Sequence, residues 1–383
     1  MSRRIIPLLM KRSLGIIGGG RKRIIFQIIL VALAVSALVF ALTFVTSMSD
    51  AIANKYALLG SGHLQIHQEE ITSSLPYETY RVGTTYGLLY SKDTTSQVFL
   101  KGVGADYFTG KRGKEVTILQ EHKESTTLMR VSISKTLAEV LGVAAGENLA
   151  LMVGGEHSVR PTLVRVEQIY ESGYRELDEQ LVFTDRAALQ KLAGGSISLH
   201  YEVLSEVDQI QAIKEDLLNK GYLVTTWSEE APQIASNLAT SKEATFVIIG
   251  VIAILLGYGI SELARQIVED DKRQIIILML LGSKKRTLLL SYLLSVLIVT
   301  AIALLLGIGL GILFSYGLPN VLPLLDQSTF SVLSYYLLSF TILIPIKNIL
   351  LIAALVLFSS VLATALSLHR GLRHQRISSL TFD

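Results

Sequence analysis

The chain has 383 residues, half of them hydrophobic, and a mean hydropathy of +0.48, values that soluble domains rarely reach. Lys and Arg number 35 against 32 Asp and Glu, a net charge of +3. Cysteine is absent, which excludes disulfides, thiolate metal sites, a cysteine nucleophile and a lipidated N-terminal cysteine, while an oxidising compartment is neither implied nor excluded.

In chain order, residues 5–17 (IIPLLMKRSLGII) predict a short amphipathic helix on the cytoplasmic surface, ended by Gly18, Gly19 and Gly20; the alternative is an unstructured basic leader. The cytoplasmic leader is assigned to 1–23. The uncharged run 24–48 is long enough to cross a bilayer as a helix, which takes about 20 residues. Ala32-Leu33-Ala34 looks like a signal-peptide cleavage site, yet the apolar run continues well past it. A signal h-region has roughly 7–15 residues, so the run is read as a retained first span.

Region 49–243 is read as one large α+β domain outside the cytoplasm. Gly62–His67 and Val98–Val103 alternate like strands, and Leu163–Tyr170 is a further strand candidate. Ser134–Leu141 reads as a helix closed by Gly142, and Asp185–Leu192 and Asp208–Asn219 as helices opened by an Asp. A core lobe interrupted by a second lobe is expected, without a boundary legible from pattern.

Three further spans follow, at 244–264, 287–316 and 348–368, separated by a cytoplasmic loop at 265–286 and an outer loop at 317–347, with a cytoplasmic tail at 369–383. In the third span, Gly307 and Gly311 are spaced as GxxxG, which permits close helix contact. The fold class is thus an α-helical membrane protein with four transmembrane helices and a large α+β domain inserted between helices 1 and 2.

Charge sets the orientation. The leader holds seven basic residues and no acid, the loop 262–286 six basic residues, and the tail Arg370, Arg373 and Arg376. By the positive-inside rule all three face the cytoplasm, and an even number of helices satisfies this. Region 49–243 carries 18 Lys and Arg against 26 Asp and Glu. Residues 327–346 are also uncharged, and a fifth span there would place the tail outside; Pro345 and the Tyr335-Tyr336 pair suit an interfacial segment better.

No GxxxxGK[ST], HExxH, GxSxG or strand-linked GxGxxG occurs. His63 and His67 share a strand face but are too far apart for a tight metal pair. The span interiors hold no Asp, Glu, Lys, Arg or His, whereas an ion-coupled carrier normally needs one at depth. The chain therefore shows no energy source of its own and no catalytic residue, cofactor or metal site is assigned to it. Nucleic acid is not expected as a partner.

Several segments resemble the FtsX/MacB-like ABC permease superfamily, in its layout of one helix, a large outer domain and three helices. TSMSDAIANKYALLGSGHLQI (46–66) resembles the exit of the first helix with its "GH-x-x-I" strand. VFLKGVGADYF (98–108) resembles a "v-l-x-G-i-d-p" segment, and ISKTLAEVLGVAAGENLAL (133–151) an "LA-x-x-L-g-v-x-x-G-d-x-v" segment. Trp227 opens a stretch similar to the "W-x-e-x-x-p" of the lipoprotein-releasing Lol permeases, the closest subgroup. EDDKRQIIILMLLGSKKRTLLL (269–290) resembles "e-x-r-x-E-i-a-i-L-r-t-l-G-a", departing at Gln274 and Met279, and 366–380 resembles the family tail without its prolines.

The resemblance implies a permease subunit in the bacterial inner membrane with a periplasmic domain. Two permease chains, identical or related, would bind a dimer of a separate ABC ATPase that holds ATP and Mg. The coupling helix would dock through Glu269, Asp271, Arg273, Gln274, Ile275, Ile276, Leu278, Met279 and Gly282, with the apolar members as anchors. An acylated lipoprotein cargo, passed to a periplasmic carrier, would meet Phe40, Phe44 and Met48 of the first helix and Phe246 and Ile249 of the second. Membrane lipid or helix packing is the plainer use of each of these. Two other functions remain open: efflux of drugs or peptides, and non-transporting regulation of cell-wall enzymes.

Overall fold

The computed structural model describes residues 21–321 and 342–373, apart from 69, 72–74, 93, 125, 155–160, 194–196, 271–274, 276 and 278. They fall into two units. One contains the described residues of 1–47, 240–324 and 342–383, the other those of 48–239.

Helix α1 (Arg21–Lys55) continues directly into a π-helical turn, Tyr56–Ser61. The strands are β1 (Leu64–Ile66), β2 (Glu78–Ser91), β3 (Thr94–Val103), β4 (Thr117–Glu121), β5 (Met129–Ser134), β6 (Asn148–Val153), β7 (Pro161–Glu171), β8 (Leu181–Asp185), β9 (Ser198–Leu204) and β10 (Val224–Thr226). Between them lie α2 (Lys111–Lys114), α3 (Lys135–Leu141), α4 (Arg175–Asp178), α5 (Arg186–Ala193) and α6 (Ile210–Asn219). The short α7 (Trp227–Glu230) precedes three long helices, α8 (Pro232–Asp270), α9 (Lys285–Val321) and α10 (Ile346–Arg373).

Two of the predicted helix openings act as the sequence suggests, but Asp208 falls inside a 3-10 turn, Val207–Gln209, and α6 begins at Ile210 without a side-chain cap. Ser134 Oγ accepts from Leu137 N at 3.0 Å and opens α3, and Asp185 Oδ1 accepts from Ala188 N at 2.8 Å and opens α5. Before α7, Thr226 N donates to Glu229 Oε2 at 2.8 Å in a capping box, and Pro232 follows at the start of α8, where its missing N–H costs nothing.

The outer unit is built on one ten-stranded sheet, in which two lobes share β2. β2 pairs with β3, β3 with β8, β8 with β5, β5 with β7, β7 with β6, and β6 again with β2. Six strands thus close on themselves, which removes free sheet edges around the ring. The interior is filled from alternate positions, among them Leu89, Val98, Leu100, Val131, Leu151, Val164 and Val182. The other lobe grows from the first half of β2, which pairs with β9; β1 lies between β9 and β10. α6 covers that lobe, burying Ile213 and Leu217 against Leu64, Ile66, Val203 and Val224.

Four helices among the described residues are long and apolar enough to cross a membrane: Ile24–Ser61, Pro232–Glu262, Arg286–Gly317 and Ile346–Ser367. Within the helical unit, Val35, Val39 and Leu42 of α1 pack with Ala253 of α8, Ala303 of α9 and Val356 of α10. Small residues set the spacing. A Cβ on Gly307 would stand 2.7 Å from Ala32 O, and one on Gly311 2.8 Å from Ser36 O, whereas one on Gly309 would meet nothing within 4 Å. The two GxxxG glycines are therefore the ones on which α1 and α9 approach. Hydroxyls link the remaining helices: Ser261 Oγ donates to Ala363 O at 2.9 Å, Ser359 Oγ to Ala253 O at 3.2 Å, and Thr300 and Ser360 lie 3.3 Å apart. On the outward side, Phe26, Leu33, Val247, Leu255, Leu305, Leu313 and Phe358 are all more than half exposed.

Candidate functional site

A helix leaves its last four carbonyls without partners inside the helix. At the end of the first helical run, three of these are Leu58, Leu59 and Gly60, and buried side chains of the outer unit supply their donors. Lys101 Nζ donates to Leu59 O at 2.6 Å and to Gly60 O at 2.9 Å, and Arg112 Nε donates to Leu58 O at 2.7 Å. Cations also suit the negative end of the helix dipole. Lys101 comes from β3, on the face opposite the barrel-lining Leu100, and Arg112 from α2.

Two buried cations need a counter-charge. Glu202 of β9 supplies it, with Oε1 2.6 Å from Lys101 Nζ and Oε2 2.5 Å from Arg112 Nη2; all three side chains are 0% exposed. Tyr107 OH donates to Glu202 Oε2 at 3.0 Å. Arg112 also packs against two rings that meet edge to face, 3.9 Å from the centroid of Tyr107 and 4.5 Å from that of Tyr80.

Burial alone would raise the Glu202 pKa, but Lys101 and Arg112 reverse that and hold it below the usual carboxylate range. Burial depresses the Lys101 ammonium against the opposing pull of Glu202. The Tyr107 hydroxyl is pushed well up, first by burial and then by Glu202, so it stays a donor.

Gly62, from the "GH-x-x-I" segment, makes this arrangement possible. Its φ is +77°, and a Cβ there would come within 2.8 Å of Glu202 Cβ. The next residue, His63, is buried, and its pKa falls to about 4, by burial first and then by Arg112 and Lys111. His67 lies elsewhere, 2.7 Å from Thr225 Oγ1 and 3.2 Å from Glu230 Oε1. Lys55, the residue just before the π-helical turn, reaches Ser172 O and lies 3.6 Å from Glu115.

The residues expected to dock an ATPase are placed unevenly. Glu269 closes α8 and lies 4.0 Å from Arg265, which also pairs with Glu262 at 2.5 Å. Asp271, Arg273, Gln274, Ile276 and Leu278 lie outside the described residues. Ile275 is buried within its own unit, and Met279 is half-buried. Gly282 ends the turn, its N–H donating to Met279 O at 3.0 Å. Among the described residues here, the exposed apolar ones are Ile277 at 55%, Leu280 at 72% and Leu281 at 68%. Their i, i+3, i+4 spacing puts them on one helical face, which the sequence reading did not single out.

Of the residues assigned to cargo, Phe40 and Phe44 stack with centroids 6.1 Å apart and are half-buried, as is Met48. Phe246 is half-buried against the helical core, and Ile249 is inside that core.

These features define a class: four candidate membrane helices knitted by small residues, with a sheet-rich domain between the first and the second. Residues 246–376 match the family model "FtsX-like permease C-terminal". The chain is also similar to the "Lipoprotein-releasing system transmembrane protein LolC" of two Xylella fastidiosa strains, Temecula1 and 9a5c. The identity is 23% over 273 residues, covering 66% of this chain and 65% of each relative. The chain thus spans about 65% of the length of the curated relatives it matches. Among solved structures, the extracellular domain of the noncanonic ABC-type transporter YknZ from Gram-positive bacteria aligns at a TM-score of 0.27 and 13% identity. That alignment covers 46% of this chain and 87% of that one, and at that TM-score it carries no argument.

Proposed function

We propose that this chain is the membrane-spanning permease subunit of an ABC transporter of the mechanotransmission type, driven by a separate ATPase dimer. The observation that carries this reading is the match of 246–376 to the FtsX-like permease family model, a stretch that contains the exposed apolar turn Ile277, Leu280 and Leu281. A helical face of that spacing suits a groove on a partner. The apolar outward side of the helical unit suits lipid, and the basic leader, loop and tail would then face the cytoplasm. In this topology 49–243 is periplasmic and the membrane is the bacterial inner membrane.

ATP and Mg belong to the partner. Closure of its nucleotide sites would move the docked turn and, through the bundle, α1. That helix and its π-helical turn are one uninterrupted run, so the movement would arrive at Leu58–Gly60, which Lys101 and Arg112 hold to β3, α2 and β9. The printed name of the 23%-identical relatives, which speaks of a lipoprotein-releasing system, supports release of lipoproteins as the transport reaction; handover to a periplasmic carrier and a second permease chain complete the proposed scheme. The stacked Phe40 and Phe44, followed at the same spacing by Met48, offer an apolar stripe to an acyl chain, at about 0.8 kcal/mol per buried methylene.

The test is to purify the complex from its native membrane and identify subunits and acylated cargo by mass spectrometry. An ABC ATPase and bound lipoprotein are expected. A complex with an ATPase and an outer-membrane channel, but without lipoprotein, would favour efflux, and one without any ATPase would overturn the reading.

A further inference from the structure

Beside the clamped carbonyls lies a cavity of about 220 Å³ within the outer unit. Four aromatic side chains line it: Tyr56 from the π-helical turn, Tyr86 from β2, Phe99 from β3, and Tyr174 from the turn before α4. Glu176 of α4 is the one charged residue in the lining, and no lysine or arginine contributes. Tyr86 and Phe99 pack with their centroids 5.1 Å apart, and Tyr86 is 64% exposed, so one wall is open to solvent.

Aromatic faces carry negative quadrupole potential, and rings grouped around a small space attract organic cations. The carboxylate adds potential of the same sign. Its influence reaches the Tyr174 hydroxyl, whose pKa is raised by burial first and then by Glu176. The volume is below the roughly 300 Å³ at which drug-sized pockets begin, and is suited to a single head group. π-Helical turns are rare and concentrate at functional sites, and this one places both Tyr56 and Gly60 on the cavity.

We infer that this cavity is a binding site for a quaternary or alkylated ammonium group, held by Tyr56, Tyr86, Phe99 and Tyr174 with Glu176 as its counter-charge. The site does not depend on the function proposed above. Its occupant would rest on Gly60, whose carbonyl Lys101 holds, so occupancy and the clamp share one turn of chain.

The molecule contains its own reporter. Trp227 is the sole tryptophan, and its ring centroid lies 6.4 Å from that of Tyr56. The full-length chain, in a maltoside detergent, is titrated with choline chloride against sodium chloride at equal ionic strength, followed by Trp227 fluorescence and by calorimetry. Saturable binding is expected. The neutral isostere 3,3-dimethylbutan-1-ol should bind at least about tenfold more weakly. Glu176→Gln and Tyr86→Leu, both at exposed side chains, should each weaken choline binding, Tyr86→Leu by about 2- to 30-fold for one lost cation–π contact. The site is refuted by the absence of saturable heat and fluorescence change. Equal affinity for the neutral alcohol would also refute it, as would wild-type affinity in both variants.

Discussion

Replacing Glu202 by Gln removes the charge that faces Lys101 Nζ at 2.6 Å and Arg112 Nη2 at 2.5 Å in a site without solvent. Taking one partner from a buried ion pair typically costs about 3–5 kcal/mol. Lys101 can shed its proton and limit the loss, but Arg112 cannot, so the lower half of that range is a floor. For a unit of this size, about 2–4 °C of Tm accompany each kcal/mol, which gives a fall of roughly 6–20 °C. Thermal unfolding of the full chain in detergent, followed by Trp227 fluorescence, reads the outer unit that contains the clamp. Glu206→Gln is the control. Glu206 pairs with Lys111 at a well-exposed site, and such pairs contribute under about 1 kcal/mol. A triple variant, Lys101→Met, Arg112→Met, Glu202→Leu, separates the ion pair from the clamp. Apolar replacement of a buried ion pair is often neutral. Here it would leave the buried carbonyls of Leu58 and Leu59 without donors, at about 1–3 kcal/mol each, and the part-buried one of Gly60 as well. The triple variant should therefore remain less stable than wild type. Full recovery, or a Glu202→Gln shift no larger than that of Glu206→Gln, would refute the clamp.

In the bundle, Gly307→Val and Gly311→Val should each lower thermal stability by about 1–3 kcal/mol or more through overpacking against α1, while Gly309→Ala, with open space around it, should not; scanning calorimetry in detergent decides. For pH, His63 has a folded pKa of about 4 against 6.5 unfolded, and is faced by Arg112, Lys111, Glu206 and Glu202. The unfolded chain binds its proton first, so stability is lost as pH falls from about 6.5 towards 4, by an amount that His63→Gln should abolish in a Tm-versus-pH series. In the coupling segment, Leu280→Asp should remove the ATPase from the purified complex by burying an unpaired charge, whereas Glu269→Ala should leave it bound. Retention of the ATPase by Leu280→Asp would exclude this face as the docking site.

Helices and their caps were legible because their signals are local. Ser134 and Asp185 act within one turn of chain, and uncharged runs of span length need no partner to be recognised, whereas the Thr226–Glu229 capping box was not singled out. The barrel was not legible. Its closure depends on β3 pairing in parallel with β8, joining Phe99 to Leu181, and on β2 serving two lobes along its length. Neither pairing leaves a periodic trace. The clamp had one trace: Lys101 interrupts the otherwise uncharged strand run Val98–Val103, where a lysine is costly unless paired. Its partners Arg112 and Glu202 sit in an exposed-looking KRGK and an ordinary strand, so only the fold brings them together. In the coupling segment, the apolar run 275–281 has no polar positions to show which side faces out, so Ile275 and Ile277 could not be told apart by sequence.

The claim that most needs testing is that this chain borrows its energy through the turn at Ile277, Leu280 and Leu281. The direct measurement is ATP hydrolysis by the verified chain alone, by the complex it forms in its native membrane, and by the complex purified through Leu280→Asp. The account predicts no hydrolysis by the isolated chain, hydrolysis by the wild-type complex, and none co-purifying with Leu280→Asp. Hydrolysis by the isolated chain, or an undiminished rate with Leu280→Asp, would contradict it.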